Sequence, residues 1–134
     1  MTIKIQHSYI PFDDAEAALV FYRDVLGFEV SNDVDMGGGM RWITVTPRGS
    51  EVSIVLTPVG AGESDEDRAT MAVLLAKGVL GGLVLASDDL DGDFERIASS
   101  GADIVQEPMD QPWGVRDAAF RDPAGNLIRI NERH

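Results

Sequence analysis

At 134 residues the chain has the length of one compact domain that buries roughly two-thirds of its unfolded surface. Its net charge of −12, from 23 acidic and 11 basic residues, argues against nucleic acid and anionic membranes as partners, since both need clustered Lys and Arg. The absence of cysteine excludes disulfides, thiol nucleophiles and thiolate metal sites. The longest apolar stretch, around Ala72 to Ala76, falls far short of a membrane span, and the start MTIKIQHSYIP has no signal-peptide run, so a cytoplasmic protein is expected.

In chain order, Ile3 to Ile10 reads as a strand leading into Pro11. Asp13 to Glu16 resembles a capping box with Asp13 as the cap, and Ala15, Leu19, Tyr22 and Leu26 form a helical stripe that Gly27 closes. Strands follow at Phe28 to Val34, Met40 to Thr46 and Glu51 to Thr57, separated by Gly37-Gly38-Gly39 and by Pro47-Arg48-Gly49-Ser50. Residues 59–80 form a connector, read as a packed linker, with Ser64 and Asp67 as candidate caps of a helix carrying Met71, Leu74 and Leu75. A strand at Gly82 to Ser87, a helix at Asp88 to Ser100, and strands at Ile104 to Gln106, Val115 to Arg121 and Asn126 to Asn131 complete the chain, with Asp122 to Asn126 as the last turn.

The landmarks of the first half return in the second. Asp13, Ala15, Leu19 and Tyr22 map onto Asp88, Leu90, Phe94 and Ile97 at a shift of 75 residues, and Gly27 maps onto Gly101 at 74. The expected fold class is therefore α+β, with two β-α-β-β-β modules at 1–58 and 81–134, a connector at 59–80, and one domain over 1–134. Strand alternation puts Ile10, Phe12, Ile54 and Leu56 under the helix. It turns His7, Tyr9, Pro11, Val55, Thr57, Gly82 and Val84 toward a cavity.

The segments FDDAEAALVFYRDVLGF after His7, SDDLDGDFERIASSGADI and QPWGVRDAAFRDPAGNLIRI resemble the glyoxalase, bleomycin-resistance and extradiol-dioxygenase superfamily, the vicinal oxygen chelate proteins, over nearly the whole chain. The resemblance implies paired modules curled around an open cavity, association into a homodimer, and in metalloenzyme members a divalent ion held from the first and fourth strands of each module. Those four ligand positions fall on His7, Val55, Gly82 and Arg129, of which only His7 is a plausible ligand. Glycine and valine donate no electron pair, and a guanidinium about 4 Å from a divalent ion is repelled by roughly 8 kcal/mol at an effective dielectric near 20. No metal and no cofactor are therefore expected.

Two functions remain. The first is a metal-independent protein that binds and sequesters a small molecule, as the likeness of QPWGVRDAAFRDPAGN to bleomycin-resistance proteins implies; the acidic balance suits a cationic ligand. Its ligand-binding candidates are Tyr9, Trp42, Val55, Gly82, Trp113 and Asn131, with Trp42 and Trp113 able to stack on a ligand or hold a cation by roughly 0.5 to 2 kcal/mol. Core or interface packing is the competing role for both tryptophans. The second function is a glyoxalase-like lyase or isomerase in which His7 takes a proton and Arg129 steadies the resulting anion in the same cavity. Against it stand a structural His7 and an Arg129 paired with a neighbouring acid such as Asp117.

Overall fold

A computed structural model describes residues 2–38 and 40–133. Strand β1 (His7–Phe12) is followed by α1 (Ala15–Leu19), which continues as a π-helical segment over Val20–Val25, and by β2 (Glu29–Gly37), β3 (Met40–Thr46) and β4 (Ser53–Pro58). Helix α2 (Asp65–Ala76) lies in the connector. The second module is β5 (Gly82–Ser87), α3 (Leu90–Ser99), β6 (Asp103–Asp110), β7 (Arg116–Arg121) and β8 (Leu127–Glu132). Among the described residues no helix is long and apolar enough to cross a membrane.

The strands form two four-stranded sheets, ordered β1-β4-β3-β2 and β5-β8-β7-β6, with the first strand of each module parallel to its fourth. The registers repeat. His7 lies beside Ser53 and Tyr9 beside Val55, while Gly82 lies beside Leu127 and Val84 beside Arg129. The shift is thus 75 residues on the first strand and 74 on the fourth, so His7 and Gly82 are equivalent, as are Val55 and Arg129.

Several boundaries differ from the sequence reading, each for a physical reason. Ile3 and Ile5 are exposed and unpaired, and β1 begins only at His7. It then runs through Pro11, because β1 is an edge strand on which a residue without an N–H is tolerated. The cap of α1 is Asp14, whose Oδ1 accepts the N–H groups of Glu16 and Ala17, rather than Asp13. β6 reaches Asp110, well beyond Gln106, with two register irregularities, the second of which spans Pro108. Ser64 does cap α2, accepting from the Asp67 N–H. Gly39, named with Gly37 and Gly38 as a turn, lies outside the described residues.

One face of each sheet, the inner face, is buried in a common core. Ile10, Phe12, Ile43, Val45, Ile54 and Leu56 of the first sheet join Ala118, Phe120, Ile128 and Ile130 of the second, with the helices packed among them. The π-helical turn, in which the Leu26 N–H reaches back five residues to the Phe21 carbonyl, lets the adjacent Phe21 and Tyr22 both enter that core. Phe21 crosses the module boundary to meet Phe120, ring centroids 5.9 Å apart. Sharing one core in this way leaves the other face of each sheet, the outer face, turned away from it.

Candidate functional site

On the outer face of the first sheet, β1 supplies His7, Tyr9 and Pro11, β3 supplies Trp42 and Thr44, and β4 supplies Val55 and Thr57. Tyr9 and Thr44 flank Val55 in register, which buries its side chain beneath theirs and makes it a floor rather than a free contact. Tyr9 meets Trp42 edge to face, ring centroids 6.4 Å apart at 85°. The pair opens onto a groove of about 360 Å³ that Pro11 and Thr57 line from the sheet. Met71 and Leu80 close its other side, and the exposed Glu63 adds a carboxylate. The connector therefore forms a wall of the groove in addition to linking the modules. Met71 was visible in the sequence as an apolar residue of the connector helix, but nothing local pointed it at Trp42.

The outer face of the second sheet is polar where the first is aromatic. Arg129 Nη1 donates to Asp117 Oδ2 and to Gln106 Oε1, both at 3.2 Å. Asp117 Oδ1 accepts from Gln106 Nε2 and Gln111 Nε2, each at 2.8 Å. The Asp117 side chain is 2% exposed. Burial by itself would raise its pKa, but the hydrogen bonds from Gln111, Gln106 and Arg129 together outweigh that and hold it below the ordinary carboxylate value. Gln106 and Gln111 were not singled out in the sequence. Their role arises only when the β6–β7 hairpin folds them over Asp117.

Within one chain His7 and Arg129 do not share a cavity, because they stand on the outer faces of different sheets. His7 is exposed and has no side-chain hydrogen bond or ion pair among the described residues. The charge of Arg129 is already matched by Asp117. Tyr9 and Trp42 are brought together, whereas Trp113 stands 69% exposed in the turn after β6, where the Gln111 N–H donates to the Val115 carbonyl, and makes no aromatic contact among the described residues. Asn131 lies half-buried on β8, paired with Ala86 on one side and Asp117 on the other.

The family's metal positions do not fit a divalent ion. A Cβ built on Gly82 would lie 1.7 Å from the Leu127 carbonyl oxygen, so the close approach of β5 to β8 excludes any ligand side chain there. Val55 is buried and apolar, and Arg129 is a cation tied to Asp117. Among the described residues no three His, Cys, Asp or Glu side chains are grouped to hold a metal.

Comparison with known proteins agrees with this architecture. The crystal structure of UcmS2 superposes with a TM-score of 0.87 at 38% identity, covering 98% of each chain. That of TnmS3, an antibiotic binding protein from Streptomyces sp. CB03234, superposes with a TM-score of 0.78 at 34% identity, covering 100% of this chain and 99% of that one. The uncharacterized protein YurT of Bacillus subtilis (strain 168) is 30% identical over 133 residues, spanning 98% of this chain and all of its own length. The family model for the Glyoxalase/Bleomycin resistance protein/Dioxygenase superfamily matches residues 4–130, and with two such modules the chain belongs to that superfamily.

Proposed function

We propose that the protein is a metal-independent cytoplasmic binder that sequesters an aromatic, cationic small molecule against Tyr9 and Trp42. The observation that carries this reading is the Tyr9–Trp42 pair at the mouth of an apolar groove with Glu63 beside it. Two rings at right angles offer a flat ligand one face to stack on and one edge to meet, and the carboxylate, in a chain of net charge −12, favours a cation. The similarity to the antibiotic binding protein TnmS3 supports binding rather than turnover. So does the pairing of Arg129 with Asp117, since a guanidinium already matched by a carboxylate is a weak stabiliser of a developing anion.

In this reading a second copy of the chain completes the site. Tyr9, Val84 and Met109 are exposed on outer faces that a homodimer would cover, and such covering is how a duplicated scaffold brings the aromatic outer face of one copy against the polar outer face of another.

The test is fluorescence quenching by a panel of cationic aromatic antibiotics in a Trp113→Phe background, where Trp42 is the sole tryptophan. Saturable quenching is expected, weakened by roughly 1 to 3 kcal/mol on Tyr9→Ala, the scale of an aromatic anchor. Sedimentation of the same samples should report a dimer. If a bound compound is instead turned over, and turnover disappears on His7→Gln, the protein is a lyase or isomerase and the sequestration reading fails.

A further inference from the structure

The two modules repeat one another, but the tie between a module's helix and the opposite module's turn exists only once. Tyr22, in the helical segment of the first module, donates to Asp122 in the β7–β8 turn of the second. Seventy-five residues separate Tyr22 from Ile97 and Pro47 from Asp122, so the equivalent contact would pair Ile97 of α3 with Pro47 of the β3–β4 turn. Neither side chain can donate or accept a hydrogen bond. At that untied turn a crevice of about 560 Å³ lies between the turn and α3, with Leu26, Phe28 and Ile97 as its apolar floor.

Three arginines line this crevice: Arg48, Arg96 and Arg133. Arg96 is neutralised by Asp93, at 2.9 Å, and Asp93 is further held by the Ser87 hydroxyl at 2.5 Å. The other two are different. Of the nine arginines in the chain, Arg48 and Arg133 are the two whose guanidinium groups make no hydrogen bond among the described residues. Their contacts are long, 3.8 Å to Glu29 and 3.7 Å to Asp88, and both of those acids are largely exposed and screened by solvent. A protein of net charge −12 thus concentrates its two unbonded arginines at one crevice with an apolar floor. Guanidinium forks on the rim of an apolar floor are the donor geometry that takes a carboxylate or phosphate in two parallel hydrogen bonds.

We propose that this crevice is a second binding site, separate from the Tyr9–Trp42 groove, for a small anion whose carboxylate or phosphate sits between Arg48 and Arg133 with an apolar body laid on Leu26 and Phe28. The probes are phenyl phosphate and phenylacetate, with benzyl alcohol as the neutral comparator, each titrated into the full chain and followed by amide chemical shifts. Both anions, or phenyl phosphate alone if two charges are needed, should shift the amides of Gly49, Ser50, Ser87 and Ile97 saturably, and added salt should weaken the binding. Arg48→Gln with Arg133→Gln should lower the affinity by about tenfold or more, the scale of losing charge-assisted hydrogen bonds. Arg68→Gln, on α2, should leave it unchanged. Both altered side chains are exposed and carry no structural hydrogen bond, so folding is not at stake. The proposal is overturned if neither anion gives saturable shifts at those amides, if the double variant binds as the parent does, or if benzyl alcohol binds equally well.

Discussion

Tyr22 Oη donates to Asp122 Oδ2 at 2.7 Å across 100 residues of sequence, deep in the core and at the junction of the two modules. The other oxygen of Asp122 accepts the N–H groups of Ala124, Gly125 and Asn126, shaping the turn. Asn126 Nδ2 then donates both to Asp122 and to the Pro11 carbonyl of β1, each at 2.8 Å. One carboxylate therefore closes the last turn and joins the second module to both the helix and the first strand of the other. This gives a physical reason for the FYRDVLGF and DPAGN elements.

Tyr22→Phe removes one donor from a buried carboxylate that keeps its others, and should destabilise the chain by about 1 to 3 kcal/mol. Asp122→Ala should cost more, because it removes the acceptor of the Tyr22 hydroxyl and of the Ala124 and Asn126 N–H groups, and one of two acceptors of the Asn126 amide and the Gly125 N–H. Urea unfolding checks both, as a fall in the midpoint at an unchanged slope.

Stability should decline at both ends of the pH range through two identified groups. Burial first, then the adjacent Asp122 charge and hydrogen bond, raise the Tyr22 pKa well above its usual value. Above about pH 10 the unfolded chain loses that proton while the folded one retains it, so stability falls as pH rises. Asp117 works in the opposite sense. Its lowered pKa contributes stability above the unfolded value of about 3.9, and that contribution is lost as pH falls through the folded value. Unfolding midpoints against pH should flatten at the alkaline end in Tyr22→Phe and at the acid end in Asp117→Asn.

Gly82→Ala should be destabilising by about 1 to 3 kcal/mol, although the residue is exposed and its φ lies outside the left-handed region. The added Cβ meets the Leu127 carbonyl at 1.7 Å, so β5 and β8 must part. A thermal melt unchanged from the parent would show that this strand pair yields without cost.

Arg129→Met should cost roughly 1 to 3 kcal/mol of stability, below the figure for a fully buried pair because the Arg129 side chain is 32% exposed. The loss comes from leaving Asp117 charged and without its cation. Changing Asp117 to Asn in the same chain should recover part of it. The cycle of four proteins, measured by denaturant unfolding, gives the coupling directly.

Much of the fold was legible locally. The 75-residue shift, the period-two alternation and the turn residues located eight strands and three helices and assigned Ile10, Phe12, Ile54 and Leu56 to the core, because strand facing depends on parity alone. Edges were less legible. Whether Ile3 pairs, or Pro11 is tolerated, depends on which strand lies alongside, and that partner is some 45 residues away. The cap fell one residue from its expected place because Asp13 and Asp14 are chemically identical candidates, and only the path of the chain out of β1 selects between them.

The candidate site divides in the same way. The expectation of no metal rests on the residue types at His7, Val55, Gly82 and Arg129, which are legible in the sequence because electron-pair donors are a property of the side chain itself. Proximity is a property of the fold. Only the tertiary structure joined Tyr9 to Trp42, closed their groove with Met71 and Leu80 from the connector, buried Val55 beneath, and matched Arg129 to Asp117 through two glutamines. Within one chain it also separated His7 from Arg129: two sheets that bury their inner faces in one core must turn their outer faces away from it, a consequence of packing that no spacing along the chain encodes.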